Sequence, residues 1–239
     1  MRLKDQRIVI LGGTSGIGLA TAKAAAEEGA TVIVASSSAK GVDGALQELP
    51  PTAQGHVINV LDEDAIRTLF SELGGLDHLV YTAGDSMSFG LVADTPAKVA
   101  SEALDVRVWG AFTAVRHAAP QIRPGGSIVL TSGTAGQRPR PGLSVAAFAC
   151  SGMEGFARGL AVELAPVRVN VVSPGVVRTG LYSAMDAAQR DAFFETTGAS
   201  LPAGRVGDGS DAAASYVYLM ANGYSTGAVI TIDGGAVLV

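Results

Sequence analysis

The sequence predicts a doubly wound α/β domain, with a parallel sheet of about seven strands covered by helices on both faces. Three observations predict it. Short runs rich in valine and isoleucine recur with apolar residues in consecutive positions, the pattern of strands buried on both faces. Longer amphipathic stretches of helical period separate them. The first apolar run passes directly into a glycine-rich turn and then a helical pattern, LGGTSGIG at 11–18. Strand–helix–strand units of this length close by right-handed crossovers, which lay successive strands parallel.

The strands expected in chain order are RIVIL (7–11), TVIVAS (31–36), HVINV (56–60), HLVYTA (78–83), SIVLTS (127–132), VRVNVVS (167–173) and AVITID (228–233). Helical patterns occupy 18–28, 63–73, 98–120, 145–164 and 211–220. No repeat, low-complexity tract or linker interrupts them, so residues 1–239 are expected to form a single domain. The stretch without a clear pattern is 179–209, after the sixth strand, where an irregular segment over a pocket is expected.

Composition narrows the function. Charged residues make up 16% of the chain, against roughly 25% in ordinary soluble domains, which suits apolar surface shared between subunits. A net charge of -5 with no basic run argues against a nucleic-acid partner. A single cysteine rules out an internal disulfide framework and fits a reducing cytoplasm. The apolar run Ile8–Leu11 is too short for a signal peptide, and no run of about 18 apolar residues exists to span a membrane. No histidine–cysteine cluster has metal-ligand spacing, so no metal is expected. The expected setting is cytoplasmic.

Within LGGTSGIG, Gly12, Gly16 and Gly18 lie on a strand-to-helix turn together with Thr14, Ser15 and Ile17. Glycines there permit a tight turn, a close approach of phosphate to backbone, and close packing of the helix. The helix start then offers free N–H groups and a positive dipole end to a pyrophosphate. Where the second strand ends, an acidic residue would select the ribose diol of NAD(H). This chain instead has Ser36, Ser37 and Ser38, then Lys40, with no carboxylate until Asp43. Such a turn accepts a 2′-phosphate and favours NADP(H) over NAD(H).

Over essentially its whole length the chain resembles the short-chain dehydrogenase/reductase family, and so a Rossmann-like fold. GGTSGIG resembles the family's cofactor loop, and Asn59–Val60 matches its adenine-holding Asp–Val pair. Tyr81-Thr82-Ala83-Gly84 stands for its Asn-Asn-Ala-Gly, with Ala83 and Gly84 keeping the small residues. In SPGVVRTGL the resemblance places Pro174, Gly175, Val177 and Thr179 at the nicotinamide, and TGAVITIDGG resembles the last strand and its turn.

The family's carbonyl chemistry uses a tyrosine acid, a lysine that lowers its pKa, a serine that orients the substrate oxygen, and an asparagine behind a proton-relay water. Carried onto this chain, the serine falls on Gly133, the tyrosine on Ala146, the lysine on Cys150 and the asparagine on Arg107. Shifting the register does not restore the set. Lysines occur only at 4, 23, 40 and 98, and no tyrosine lies between 81 and 182. Ser132 neighbours the serine position but should face the other way along a strand. Arg107 is the candidate catalytic group, able to hold an anionic or carbonyl oxygen without giving up a proton. The competing reading is a structural arginine in a salt bridge. Cys150 as nucleophile, His117 at a surface or subunit contact, and Asp85, Ser86 and Tyr182 on the pocket wall are secondary candidates.

The reading that follows is an NADP(H)-dependent oxidoreductase acting on a small organic substrate, an imine, iminium or unusual carbonyl, through an atypical catalytic site. The alternative is an NADP(H)-binding protein without redox turnover, either a sensor or scaffold or a catalyst of cyclisation or rearrangement. Helices 98–120 and 145–164 resemble those through which the family pairs its subunits, so a homodimer or homotetramer is expected.

Overall fold

A computed structural model describes residues 1–84 and 90–239. Alternate residues of the strand runs face opposite layers, which explains their unbroken apolar character. In β1 (Arg7–Leu11), Ile8 and Ile10 face one core while Val9 and Leu11 face the other. The strands are β2 (Thr31–Ser36), β3 (Gln54–Val57), β4 (Leu76–Tyr81), β5 (Ile122–Thr131), β6 (Arg168–Pro174) and β7 (Val229–Ile232). All pair in parallel, in the order β3-β2-β1-β4-β5-β6-β7.

Two helical layers cover the sheet. One contains α1 (Gly16–Glu27), α2 (Ala39–Glu48) and α8 (Gly209–Ala221), which bury Ala22, Ala25, Ala45, Tyr216 and Leu219. The other contains α3 (Glu63–Leu73), α5 (Gly110–Ala118) and α6 (Ser144–Glu163), which bury Phe70, Val115 and Met153. Burying each large apolar side chain contributes about 1.5–3 kcal/mol. Local signals fix the ends. Asp62 accepts the Ala65 N–H to cap α3, and Gly74 at φ 64° closes it.

The structure corrects the sequence reading at three places. The helical pattern 98–120 is not continuous: α4 (Ala97–Leu104) gives way to one wide π-helical turn, Asp105–Trp109, before α5. The Tyr81 hydroxyl, buried under that turn, donates to the Val106 carbonyl and supplies the partner that the wide turn displaces. The third strand is earlier and shorter than 56–60, so Asn59 and Val60 fall in the loop after β3. Finally, the segment 179–209 is ordered over much of its length by α7 (Ala187–Ser200), capped by Asp186 accepting the Gln189 N–H. This excursion is pinched at its neck by a bridge between Val177 and Gly207, where Arg178 N–H donates to the Gly207 carbonyl at 2.8 Å.

Candidate active site

The strand order reverses between β1 and β4, so the loops leaving their carboxyl ends diverge and open a crevice. Thr82 N–H donates to the Leu11 carbonyl at 2.9 Å and holds the two strand ends together. Gly12, at φ 88°, sits against this junction, where a Cβ would lie 2.5 Å from the Ala83 nitrogen. Gly18, one turn along, is pressed onto the Gly12 carbonyl, and any side chain there would force α1 away from the loop. Gly13 shares this close packing, with Val34 2.8 Å from the place of a Cβ, although the sequence reading gave it no role. Ser15 precedes α1 without a side-chain cap, so the first N–H groups of the helix are left to another acceptor.

A cavity of about 710 Å³ extends from this helix start across the carboxyl ends of the central strands. It brings together Ser15, Gly16, Ile17 and Gly18 from the loop, Gly84 after β4, and Pro174, Gly175, Val177 and Thr179 after β6. Thr179 comes within 3.1 Å of the place of a Gly16 Cβ, so the segment after β6 reaches the glycine-rich loop. Gly175 is packed against Asp233, whose carboxylate accepts the N–H groups of Gly235 and Val237 at 2.8 Å and fastens the C-terminal turn beneath the cavity.

The second-strand residues lie beyond this cavity. Ser36 ends β2 and its hydroxyl accepts the Ser38 N–H; Ser38 caps α2 by accepting the Gly41 N–H at 3.1 Å; Ser37 is exposed between them. Thr14 Oγ1 and Ser38 Oγ both lie within 3.4 Å of the place of a Gly41 Cβ, so the two hydroxyls converge at the start of α2. Asn59 is exposed and its side-chain oxygen accepts the Leu61 N–H, while Val60 is buried against Gly110.

Arg107, Gly133, Ala146 and Cys150 all line the same cavity. Arg107 rides on the π-helical turn, and its guanidinium lies over Gly84, where a Cβ would come within 2.8–2.9 Å of it. Cys150 Sγ lies 3.3 Å from the place of a Gly133 Cβ, so the two positions face each other across β5 and α6. Burial pushes the Cys150 thiol up, Arg107 and the Gly136 N–H pull it down, and Glu154 opposes them; the net direction is upward. The thiol therefore holds its proton, which speaks against a nucleophilic role. Ser132 also lines the cavity, against the expectation that it would face away, because β5 ends at Thr131 and strand alternation no longer applies; its hydroxyl donates to Glu154 Oε1 at 3.1 Å.

Tyr182 also lines the cavity, its ring packed 5.2 Å from Phe193 and 5.3 Å from Phe194, and Arg178 stacks on Phe194. Burial raises the Tyr182 hydroxyl above its ordinary pKa. His117 lies away from the cavity, paired with Glu63 at 2.9 Å. His78 is buried in the sheet between Ser127 and Gln6. Asp85 and Ser86 fall outside the described residues. Among the described residues no group of histidine, cysteine, aspartate or glutamate is arranged to hold a metal, and no helix is long and apolar enough to cross a membrane.

A Rossmann-like sheet with this loop and this set of strand-end residues defines a nucleotide-binding oxidoreductase fold, and comparison with known proteins agrees. A family profile described as enoyl-(acyl carrier protein) reductase matches residues 12–237. The chain is 36% identical to the short-chain dehydrogenase/reductase ATR9 of Stachybotrys chlorohalonatus, over 99% of its length and 98% of the relative. It therefore belongs to the short-chain dehydrogenase/reductase family. Among solved structures it is similar to a small-chain dehydrogenase in complex with NADPH, at 38% identity and TM-score 0.87, covering 99% and 100% of the two chains. It is also similar to the MalC reductase/Diels-Alderase of Malbranchea aurantiaca, at 29% identity and TM-score 0.91, covering 100% and 98%.

Proposed function

We propose that this chain is a cytoplasmic, homo-oligomeric NADP(H)-dependent oxidoreductase whose substrate requires no protein acid of the tyrosine–lysine kind. The observation that carries the proposal is the convergence of the cofactor loop with Arg107, Gly133, Ala146 and Cys150 on one cavity.

The residues present fit a dinucleotide phosphate. The uncapped first turn of α1 suits a pyrophosphate, and Gly12 and Gly18 let the backbone approach it. The converging Thr14 and Ser38 hydroxyls, with exposed Lys40, suit a 2′-phosphate, and no carboxylate precedes Asp43 to repel it. When bound, NADPH supplies a hydride. The chain's own groups then decide which substrates can use one. Arg107 presents a fixed positive charge to a developing oxyanion or a substrate carboxylate. Ala146 and Cys150 leave room where an acid would stand, and the Cys150 thiol stays protonated. Tyr182 offers a phenol without a lysine to lower its pKa, so it serves as wall and hydrogen-bond donor. An iminium group would need no protein acid, because neutralising it creates no alkoxide, provided that an anion on the same substrate offsets its charge beside Arg107.

The test is titration of NADPH and NADH by calorimetry, followed by NADPH oxidation across carbonyl and imine panels. NADPH should bind at least about tenfold tighter than NADH, and imines should outpace matched ketones. Equal cofactor affinities refute the NADP(H) reading; a loss of about 10²-fold in Tyr182→Phe would identify the phenol as an acid. A second reading draws on the similarity to a reductase/Diels-Alderase: the same cavity, with Arg107 as electrostatic catalyst, closes a ring without net redox change. NADPH binding without oxidation, together with cyclised product, would favour it, and binding with no product at all would leave a sensor or scaffold.

A further inference from the structure

Among the described residues, the charge that lines the cavity is of one sign. Arg107, Arg138 and Arg140 line it, and no aspartate or glutamate does so among the described residues, although the chain as a whole carries -5. Several arginines outside the cavity are committed to partners. Arg2, Arg67, Arg116, Arg123 and Arg205 meet carboxylates, and Arg168 donates to the Leu219 and Met220 carbonyls. Arg138, by contrast, makes one long side-chain contact of 3.4 Å, to the Ala236 carbonyl, and Arg140 has no carboxylate partner among the described residues.

The loop that carries these two residues is rigidly built. It reads Arg138-Pro139-Arg140-Pro141-Gly142. A residue before proline is restricted to β or polyproline backbone, which limits the path of the arm, and both arginines line the cavity. The arm is anchored at both ends. Arg138 N–H donates to the Thr134 carbonyl at 2.8 Å, and Leu143 N–H to the Arg140 carbonyl at 3.0 Å. The latter closes a turn with Pro141 second and Gly142 third, the glycine at φ 82° as a type II turn requires. Gly90 N–H, donating to the Gly142 carbonyl at 3.0 Å, ties the turn to the loop after β4. From this restrained backbone two exposed guanidinium groups reach one cavity, and guanidinium matches the geometry of carboxylate and phosphate. Leu143, Val145, Leu181, Met185 and Phe193 provide an apolar wall to the same cavity.

We infer that Arg138 and Arg140 form the recognition site for an anionic group on the substrate, a carboxylate or a phosphate, whose apolar body lies along that wall and directs the reacting atoms toward Arg107. The inference rests on the proposed function only in treating this cavity as the substrate side of a dinucleotide site. The test is calorimetry on the full-length protein, with and without saturating NADPH, using octanoate, octyl phosphate and octanamide as probes. One of the two acids should bind at least about tenfold tighter than the amide, the difference shrinking in high salt, and the tighter acid identifies carboxylate or phosphate. In Arg138→Gln/Arg140→Gln the preference should vanish while NADPH affinity and melting temperature stay unchanged, and Arg138→Lys/Arg140→Lys should keep part of it. Equal binding of acid and amide, no acid binding up to about 10 mM, or a preference that survives in the glutamine variant overturns the inference. A tenfold fall in NADPH affinity in that variant overturns it too, by assigning the arginines to the cofactor. If NADPH neither binds nor is oxidised, the proposed function fails, and the acid–amide difference without NADPH still decides the anion site.

Discussion

Arg107 and Cys150, two of the positions that the proposed function treats as a vacated acid site, are electrostatically coupled, and that coupling can be measured. Consider Gly133→Ser, Ala146→Tyr and Cys150→Lys introduced together. A Cβ at Gly133 meets Pro174 at an ordinary 3.7 Å and the side chain at position 150 at a tighter 3.3 Å, so the latter must give by a few tenths of an ångström, and the cavity of about 710 Å³ accepts a phenol. Charge is the obstacle. Arg107 already acts on the Cys150 thiol, so a lysine there would stand within reach of the guanidinium. Two like unit charges about 5 Å apart, at an effective dielectric of about 20, repel by ~3 kcal/mol. That is enough to make the new ammonium release its proton or swing away, and without it the tyrosine is a poor acid. The triple variant should therefore gain at most about tenfold in ketone reduction. Adding Arg107→Asn should release the rest of the ~10²–10⁴-fold that a positioned acid contributes, about 3–5 kcal/mol of barrier. The assay is NADPH oxidation with a simple ketone at saturating cofactor, with melting temperatures to confirm folding. A triple variant as active as the quadruple one refutes the coupling. Reduction of simple ketones by the unaltered protein at about 1–10 s⁻¹ refutes the vacated acid site itself.

Three further outcomes follow from the structure. Gly84→Ala puts a methyl where the Arg107 guanidinium now lies, so it should mimic Arg107→Ala, each lowering turnover by about 10²-fold with little change in melting temperature; loss of stability with normal activity per folded molecule would make Arg107 structural. Burial, with Arg168 nearby, holds His78 down at about 4. A histidine in the unfolded chain titrates near 6.5, so between those values the unfolded state binds the extra proton; stability is full above pH ~6.5 and falls as pH drops toward ~4, by ~2 kcal/mol between pH 7 and pH 5. Urea unfolding at the two pH values, compared with His78→Gln, checks it, and equal pH dependence in both proteins refutes it. Phe148 is 65% exposed on α6, and Trp109 is 58% exposed beside α5; Phe148→Asp should convert a dimer or tetramer to a smaller species in light scattering, and a monomer before the change refutes the assembly.

The fold was legible because parallel strands buried on both faces leave apolar runs that need no alternation, as in β1, β2 and β6. The cofactor loop was legible for a different reason: Gly12 and Gly18 occupy places from which backbone atoms exclude a side chain. What escaped the sequence reading depends on tertiary partners. The wide turn at Asp105–Trp109 lies inside a continuous helical pattern, and its displaced carbonyl is satisfied by Tyr81, distant in the chain. The helix α7 carries little amphipathic signal because it lies over a cavity edge, with Phe194 and Gly198 alone buried. The twin-arginine arm, 138–142, carries no apolar period to mark it. The signal that could have found it is the Arg-Pro-Arg-Pro-Gly spacing, two cations on a stretch whose backbone the prolines restrict.

The pinched neck of the lid has an evolutionary consequence. With Val176, Val177 and Arg178 hydrogen-bonded or bridged to Gly207, the chain leaves and re-enters the body of the protein at adjoining points. Whatever lies between them is inserted into a junction that is already closed. Doubling the length of such an insertion adds only about 0.6 kcal/mol of closure cost. The passage from Gly180 to Ser200 is thus a cassette: its helix and aromatic cluster can be lengthened, shortened or exchanged while Thr179, packed on Gly16, and Ala203, bonded to Gly234, hold its two ends. New substrate preferences can be acquired there by transplantation rather than by rebuilding the enzyme.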